Sequence, residues 1–314
     1  MHGPEQNSIH YWLYTFKSQI LPAMRHLFPL LGIVLLAACQ SSSTYYLAQD
    51  TPPYQSHDLT AENLFSQNIE GPSFRHDTLF VVNYQHDGTI GMVFPDGHCE
   101  LYVNLPDSSV GNSIKFDQDG NMYVADYTRH NILKIDHNKH ISIYCHNDQF
   151  SQPNDICMTK EGIIFASDPN WQNNTGRIWR IDRDGKAVLV GDSLGTTNGI
   201  TISPDEKHLY MGESAQRKIW RYDVDDAGNL SHKTLFTSFT DFGMDGMHFG
   251  PDGNLYICRY GKGVIAVFST DGKMLREIPL KGKGCSNFVF GDPDGKTAFV
   301  TLQDRKCMEM FRID

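Results

Sequence analysis

The chain has 314 residues, of which 40% are hydrophobic and 20% are charged, so its composition is that of an ordinary globular protein with material for a sizeable core. Its formal net charge is −10 and its isoelectric point is about 5.7. Basic runs are absent from the body of the chain, which argues against nucleic acid as a partner.

The N-terminal segment has the features of an export signal. Arg25 and His26 precede an apolar stretch over residues 27–38 that ends in small residues. This stretch is too short to span a bilayer, which needs about 20 residues. We therefore expect residues 1–38 to be a signal peptide that is removed, with Met24 as an alternative start.

Residues 36–39, Leu-Ala-Ala-Cys, resemble the lipobox of bacterial lipoproteins. The motif implies cleavage before Cys39 and lipid attachment to its sulfur, with residues 39–64 as a lipidated tether and lead-in. Gln40, in place of Asp, resembles cargo sent to the outer membrane. We therefore expect a lipoprotein of the cell envelope, facing the periplasm and touching the membrane only through its lipid. The alternative is an ordinary signal peptide with a chance cysteine.

Six short hydrophobic segments recur along the rest of the chain, each around an aromatic residue. The aromatic residues are Phe80, Tyr123, Phe165, Tyr210, Tyr256 and Phe299. Their successive spacings are 43, 42, 45, 46 and 43 residues. Repeats of about 40–50 residues built from short strands are typical of a β-propeller. The sequence therefore predicts an all-β, six-bladed β-propeller over residues 65–314.

Turn residues separate these strands. Asp119-Gly120, Asp252-Gly253 and Asp294-Gly295 precede three of the aromatic residues and are typical of hairpins. No segment sustains an apolar period of 3.6 residues with caps, so we predict almost no helix in the body. Ring closure should use the C-terminal strand over residues 308–313.

A polar residue stands ten to twelve positions before each aromatic residue. The six are Glu70, Asn112, Asn154, Asn198, Asp245 and Asn287. Equivalent positions of all blades converge on the propeller axis, so these side chains should meet at one mouth of the central channel. Two carboxylates and four carboxamides offer only oxygen donors, which suits Ca²⁺ or another divalent cation. The alternative is that the Asn residues make turns, but turns do not explain Glu70.

The metal ligands expected from this set are Glu70 and Asp245, which offset the charge, together with Asn154 and Asn198. Asp155, next to Asn154, is a secondary acid or base candidate, and its alternative role is a turn partner for its loop.

Three further features carry less weight. Residues 191–195 match the G-x-S-x-G motif around Ser193, but they lie in a β-to-β segment with no following helix, so a serine nucleophile is disfavoured. His248 is more consistent with a packed residue than with a proton carrier. The six cysteines after Cys39 form no CxxC pair, which argues against zinc, and their strand positions predict small buried hydrophobes.

With these motifs the chain resembles the senescence-marker-protein and gluconolactonase family of six-bladed propellers. The matching segments are Ile69-Glu70-Gly71-Pro72, Gln152-Pro153-Asn154-Asp155, Asn198-Gly199-Ile200, Met244-Asp245-Gly246-Met247 and Cys285-Ser286-Asn287. They cover about residues 65–305, and their ligand pattern is most similar to that of bacterial drug-responsive lactonases and diisopropylfluorophosphatases. The resemblance implies calcium ligands at Glu70, Asn154, Asn198 and Asp245, with Asn112 and Asn287 behind the ligands or facing the substrate.

The chain departs from this family at two places. Animal gluconolactonases have an Arg two residues before the Asn that matches Asn154, whereas this chain has Gln152. This difference argues against a sugar lactone held by the same hydroxyl contacts, although Gln152 should still face the substrate. The phosphatase branch has a histidine after its last-blade strand, where this chain has Leu302 and Gln303, which argues against an organophosphatase.

The sequence therefore predicts a monomeric, calcium-dependent lactone hydrolase that acts on a small lactone or ester. Ca²⁺ would polarise the carbonyl and Asp245 would be the general base or attack directly, with Asp155 assisting. One alternative is a phosphotriester or ester hydrolase on the same cation site. Another is a non-catalytic binding propeller of the envelope.

Overall fold

Twenty-four strands in six four-stranded antiparallel sheets make up residues 52–314, the part of the chain that the computed structural model describes. The predicted signal peptide and Cys39 lie outside these residues. No described residue is helical, so this part contains no helix long and apolar enough to cross a membrane.

The first three sheets follow one another along the chain. Sheet one contains β2 (Phe65–Arg75), β3 (Thr78–Tyr84), β4 (Thr89–Val93) and β5 (Cys99–Asn104). Sheet two contains β6 (Gly111–Phe116), β7 (Met122–Asp126), β8 (Asn131–Ile135) and β9 (Ile141–His146). Sheet three contains β10 (Ile156–Met158), β11 (Ile164–Asn170), β12 (Thr175–Ile181) and β13 (Ala187–Leu194).

The last three sheets repeat this order, except that the sixth borrows a strand from the start of the chain. Sheet four contains β14 (Thr197–Ile202), β15 (His208–Glu213), β16 (Lys218–Val224) and β17 (Leu230–Ser238). Sheet five contains β18 (Met247–Phe249), β19 (Leu255–Arg259), β20 (Val264–Phe268) and β21 (Met274–Pro279). Sheet six contains β22 (Cys285–Gly291), β23 (Thr297–Leu302), β24 (Cys307–Arg312) and β1 (His57–Asp58).

The sheets are the blades of a propeller. The first strands of neighbouring sheets contact each other in sequence, from β2 through β6, β10, β14 and β18 to β22, and β22 contacts β2 again. These six strands therefore surround a central channel, and the later strands of each sheet lie progressively further out. The predicted all-β, six-bladed propeller is confirmed.

The hydrophobic core lies between the blades. All six aromatic residues that define the repeat lie on the second strand of their blade. Each of six buried clusters joins two neighbouring blades, as where Val82 and Ile90 of blade one meet Ile114 and Val124 of blade two. Because burial occurs between blades, polar side chains can line the channel without disrupting the core.

The ring closes through the N-terminal strand as well as the C-terminal one. His57 pairs with Met310 and Asp58 with Glu309, so β1 forms the outer edge of blade six. Arg305 binds both Asp58 (2.7 Å) and the buried Glu309 (2.6 Å). The segment before Phe65, expected to be only a lead-in, thus contributes to the fold. The contribution of a two-residue strand is invisible in the hydrophobic pattern.

Hairpin turns depend on glycine where the chain passes close to its neighbour. Gly185 has a φ of +80° in the turn between β12 and β13, and a Cβ there would lie 2.3 Å from the carbonyl oxygen of Tyr144. Only glycine tolerates both constraints. The Asp-Gly turn at Gly185 therefore requires its glycine.

Candidate active site

The six predicted polar residues lie on or directly before the innermost strands, and at four of the six positions the strand pairing is irregular. The pairing register of β2 with β3 shifts on both sides of Glu70, and that of β14 with β15 shifts between Thr197 and Ile200, around Asn198. Asn112 lies within a register shift, and so does Asn287. Irregularities of this kind redirect side chains and are frequent next to active sites. Here they occur at the repeat positions that converge on the channel.

Glycines follow the candidate ligands because the neighbouring blade approaches closely. A Cβ at Gly199 would lie 2.1 Å from the carbonyl oxygen of Asp245. A Cβ at Gly71 would lie 2.5 Å from the carbonyl oxygen of Asn112, and its φ is +46°. The Glu-Gly and Asn-Gly pairs of the sequence are thus explained by contacts between blades, rather than by turns alone.

Five of the six polar residues line one cavity of about 260 Å³ at a mouth of the channel, and they are Glu70, Asn112, Asn154, Asn198 and Asp245. The sixth, Asn287, is buried behind this cavity. It donates a hydrogen bond to the Glu70 carboxylate, and its Oδ1 lies 3.1 Å from His248 Nε2. Asn287 therefore orients a candidate ligand rather than facing the cavity.

The two cavity carboxylates are electrostatically unfavourable in the absence of a cation. Burial and then the charge of Asp245 raise the pKa of Glu70 well above its ordinary value. Burial and then the charge of Asp155 raise the pKa of Asp245 in the same direction. The Gly71 N–H, 2.9 Å from Glu70 Oε2, opposes the shift at Glu70 only in part. Positive charge in this cavity would relieve both penalties.

Two carboxamide oxygens in the cavity are buried and have no protein partner. They are Oδ1 of Asn154 and Oδ1 of Asn198. Asn198 donates from its amide nitrogen to Asp245, which leaves its oxygen free. Buried polar atoms are nearly always satisfied, so two unpaired acceptors beside two carboxylates indicate a missing electropositive partner.

The donor chemistry fits a hard cation. Glu70, Asp245, Asn154 and Asn198 supply only oxygen, the donor that Ca²⁺ and Mg²⁺ prefer. Within residues 52–314 there is no group of three or more His, Cys, Asp or Glu side chains arranged to bind a metal ion. Any cation here would therefore depend on the two carboxamides as well as the two carboxylates.

Comparison with known proteins assigns the chain to a family. The family model described as the SMP-30/gluconolactonase/LRE-like region matches residues 70–304. The chain belongs to this family. The resemblance stated from the sequence motifs is thereby confirmed.

The relatives of this chain include proteins named as lactonases. A gluconolactonase from Zymomonas mobilis is 31% identical over 234 residues, which is 66% of this chain and 65% of that protein. A pentonolactonase from Haloferax volcanii is 26% identical over 151 residues, 47% of this chain and 52% of that protein. The match thus spans less than two thirds of either relative. The structure of a gluconolactonase from Xanthomonas campestris has a TM-score of 0.70 at 22% identity, covering 82% of this chain and 89% of that one, and shares its fold.

In this chain, Asp155 does not line the cavity at the channel mouth. Its Oδ1 accepts hydrogen bonds from Ser113 Oγ (2.6 Å) and Ile156 N (2.9 Å), and its Oδ2 accepts one from Ile200 N (3.4 Å). Asp155 therefore links blades two, three and four behind the cavity. This placement favours the alternative interpretation, in which Asp155 holds the loop that carries Asn154.

The two residues disfavoured as catalytic groups in the sequence analysis, Ser193 and His248, do not line the cavity either. Ser193 lies in β13, the outermost strand of blade three, and is exposed with no helix after it. His248 contacts Phe288 at 5.1 Å and, because of burial and then the charge of Lys115, has a pKa lowered to about 3. Both observations agree with the interpretations preferred from the sequence.

Loops contribute cavity residues that the repeat pattern does not predict. Trp171 and Tyr260 line the cavity and are 45% and 39% exposed, and Gln303 completes that wall. Arg259, which is 1% exposed, donates to the carbonyl oxygens of Asp241 and Gly243 and so fixes the loop before Asp245. Trp171, Tyr260 and Gln303 each come directly after a strand, which is the only signal that the sequence offers for them.

Proposed function

We propose that this chain is a lactone hydrolase that uses a divalent cation, with Ca²⁺ as the first candidate. The observation that carries the proposal is the pair of unpartnered oxygens of Asn154 and Asn198, facing the same cavity as Glu70 and Asp245. This all-oxygen set, with two carboxylates and two neutral carbonyl donors, matches the preference of Ca²⁺ in charge and donor type.

The lactone as substrate class is supported by the relatives. Those from Zymomonas mobilis and Haloferax volcanii are named for the opening of gluconolactone and pentonolactone rings. A lactone needs an activated water and stabilisation of negative charge on its carbonyl oxygen. The cavity offers groups for both tasks.

Glu70, Asn154, Asn198 and Asp245 would hold the cation, which when bound supplies Lewis-acid polarisation of the lactone carbonyl. Asp245 would accept the proton of the attacking water. Asn198, which donates to the Asp245 carboxylate, keeps it oriented, and Asn287 does the same for Glu70. Asn112 lies at the cavity wall and donates from its Nδ2 to the carbonyl oxygen of Asn154 (3.4 Å), next to a candidate ligand.

We also propose that the chain works as a lipoprotein of the cell envelope, anchored through Cys39 and facing the periplasm. The lipobox-like residues 36–39 and the short apolar stretch before them support this proposal. A small, uncharged substrate could reach an enzyme in that compartment from outside the cell.

The test is a hydrolysis panel with the full chain in detergent. Aldonolactones, aliphatic lactones, aryl esters and phosphotriesters are each offered before and after treatment with a chelator, and then with Ca²⁺, Mg²⁺ or Mn²⁺ restored. We expect lactone opening that is lost with chelator and regained with Ca²⁺. Undiminished lactone opening after complete metal removal, or hydrolysis of phosphotriesters alone, would contradict the proposal.

A further inference from the structure

Two buried cysteines meet at the boundary between blades five and six. Cys258 lies in β19 and Cys285 begins β22, and both side chains are fully buried in the same core cluster. The thiols of the two residues are hydrogen-bonded to each other. The Cys285 thiol also donates to the carbonyl oxygen of Val264 (3.7 Å), which lies in β20, the strand paired with β19. The side chain of Cys285 therefore reaches out of blade six and toward Cys258.

The other four cysteines of residues 52–314 are poorly placed to compete for this contact. Cys307 belongs to the same cluster, but Leu302 of β23 lies between it and Cys285 in the register of blade six. Two strand spacings amount to about 9.5 Å, whereas a disulfide spans at most roughly 7 Å between Cα atoms. The remaining three lie in blades one, two and three, and they are Cys99, Cys145 and Cys157. Cys258 and Cys285 are thus the pair that the fold selects.

This pair lies directly behind the segment that carries Asp245. The carbonyl oxygen of Cys258 accepts a hydrogen bond from the N–H of Asp245 (3.0 Å), and the N–H of Cys258 donates to the carbonyl oxygen of Gly246 (2.9 Å). The N–H of Gly246 in turn donates to the carbonyl oxygen of Ser286 (2.7 Å), the residue after Cys285. A bond between the two sulfurs would therefore clamp the backbone of residues 245–246 between blades five and six.

We propose that Cys258 and Cys285 form a disulfide that joins blades five and six behind the channel mouth. The oxidant is itself a disulfide, here oxidised glutathione. One cysteine thiolate attacks it and forms a mixed disulfide, which releases one glutathione thiol, and the second cysteine then displaces the other. Two protein thiols are oxidised, one glutathione disulfide is reduced, and the two thiol protons end on the two glutathione molecules.

The burial of both sulfurs decides when this bond forms. Neither Cys258 nor Cys285 exposes any surface in the native protein, so the oxidant reaches them only while the chain is unfolded or locally open. The bond therefore forms during folding. The proposed export of the chain would place its folding in an oxidising compartment. The pairing itself rests on the contact between the two thiols and not on lactone hydrolysis.

The first test is a disulfide map of the full chain. The reduced, unfolded protein is refolded in detergent at several ratios of oxidised to reduced glutathione, free thiols are blocked, and the unreduced digest is analysed by mass spectrometry. We expect a peptide pair linked through Cys258 and Cys285, lighter by two hydrogen atoms than the two reduced peptides. Free thiols at both positions at every ratio, or a bond from either residue to a different cysteine, would overturn the proposal.

Three alanine variants make the map specific. Cys258→Ala should leave Cys285 free, and Cys285→Ala should leave Cys258 free. Cys307→Ala removes a buried thiol from the same cluster and is the matched control, so it should keep the linked peptide pair. Equal loss of the linked pair in all three variants would contradict the pairing.

A second measurement tests the clamp. The protein refolded with oxidant is compared with protein refolded without it, both in chelator, by amide hydrogen exchange and thermal melting. A bond that closes a loop of about 27 residues restricts the unfolded chain, so the melting temperature should rise by roughly 5–10 °C. Exchange of the Asp245 and Gly246 amides should slow by about tenfold or more. In Cys285→Ala the oxidant should change neither value.

The outcome of this measurement is independent of the proposed function, because chelator removes any cation from the comparison. Equal melting and equal exchange of the two forms would overturn the clamp even if the protein opens lactones. A linked pair with slowed exchange in a protein that opens no lactone would refute the proposed function and leave the disulfide standing.

Discussion

Replacing Asp245 by Asn should have opposite effects on the metal-free and the calcium-bound protein. The change keeps an oxygen donor and nearly the same volume, but it removes a carboxylate whose charge raises the pKa of Glu70 and whose own pKa is raised by burial and by the charge of Asp155. In chelator the variant should therefore melt at or above the temperature of the wild type. In Ca²⁺ it should melt below the wild type, because a ligand charge has been lost.

The magnitude follows from mass action. Ca²⁺ at about 100 times its dissociation constant stabilises the native state by about 2.7 kcal/mol. For a domain of this size, 1 kcal/mol changes the melting temperature by about 2–4 °C, so the wild type should gain about 5–10 °C. The variant should gain less than half of that. Loss of a general base should in addition lower turnover by about 10²–10⁴-fold.

The assay is a thermal melt with and without chelator, together with lactone hydrolysis at saturating Ca²⁺. Ser193→Ala, a change at an exposed serine on the outer strand of blade three, is the control and should leave every value unchanged. Full activity in Asp245→Asn, or an equal loss of stability with and without Ca²⁺, would refute the reasoning.

Three further predictions concern other parts of the molecule. Because the pKa of His248 is lowered to about 3, the wild type should lose stability as the pH falls from about 6.5 toward 3. In chemical denaturations of both proteins at pH 7 and pH 5, His248→Gln should be spared roughly 1–2 kcal/mol of this loss. An equal loss of unfolding free energy in the two proteins would contradict the assignment. Among the cysteines of residues 52–314, only Cys99 is not fully buried, so alkylation of the native protein should label Cys99 first. The reaction should be slow, because burial raises the pKa of the Cys99 thiol to about 12. Earlier labelling of any other of these cysteines would disagree with the fold. Cys39→Ser should leave the precursor unprocessed and unlipidated, whereas an unmodified mature N-terminus in the wild type, seen by mass spectrometry, would exclude the anchor.

The architecture could be predicted because it repeats. The number of residues between Phe80 and Tyr123 defines one blade, and a similar spacing recurs in the other repeats. The weak strand signals of the individual blades therefore reinforce one another. The convergence of Asn154 and Asn198 follows from the same periodicity, since equivalent positions of a propeller must lie near its axis. No single motif of the chain would have been sufficient.

Features that occur once in the chain could not be predicted in this way. β1 has only two residues, and its place beside β24 depends on the ion pairs of Arg305 with Asp58 and Glu309. Trp171 and Tyr260 reach the cavity from loops whose path is set by tertiary contacts, including the buried Arg259. Asp155 is adjacent to Asn154 in sequence, yet it accepts a hydrogen bond from Ser113 of the neighbouring blade and does not line the cavity.

The central claim is that the carboxylates and free carboxamide oxygens of the channel mouth bind the cation on which lactone hydrolysis depends. The most direct test is a calorimetric titration of Ca²⁺ into the metal-free full chain, with hydrolysis assayed at each point. We predict one binding site per chain, activity that rises in proportion to its occupancy, and loss of both in Asn198→Leu, which replaces the carboxamide with an apolar group of similar shape. Activity without bound cation, or binding that Asn198→Leu leaves unchanged, would contradict the claim.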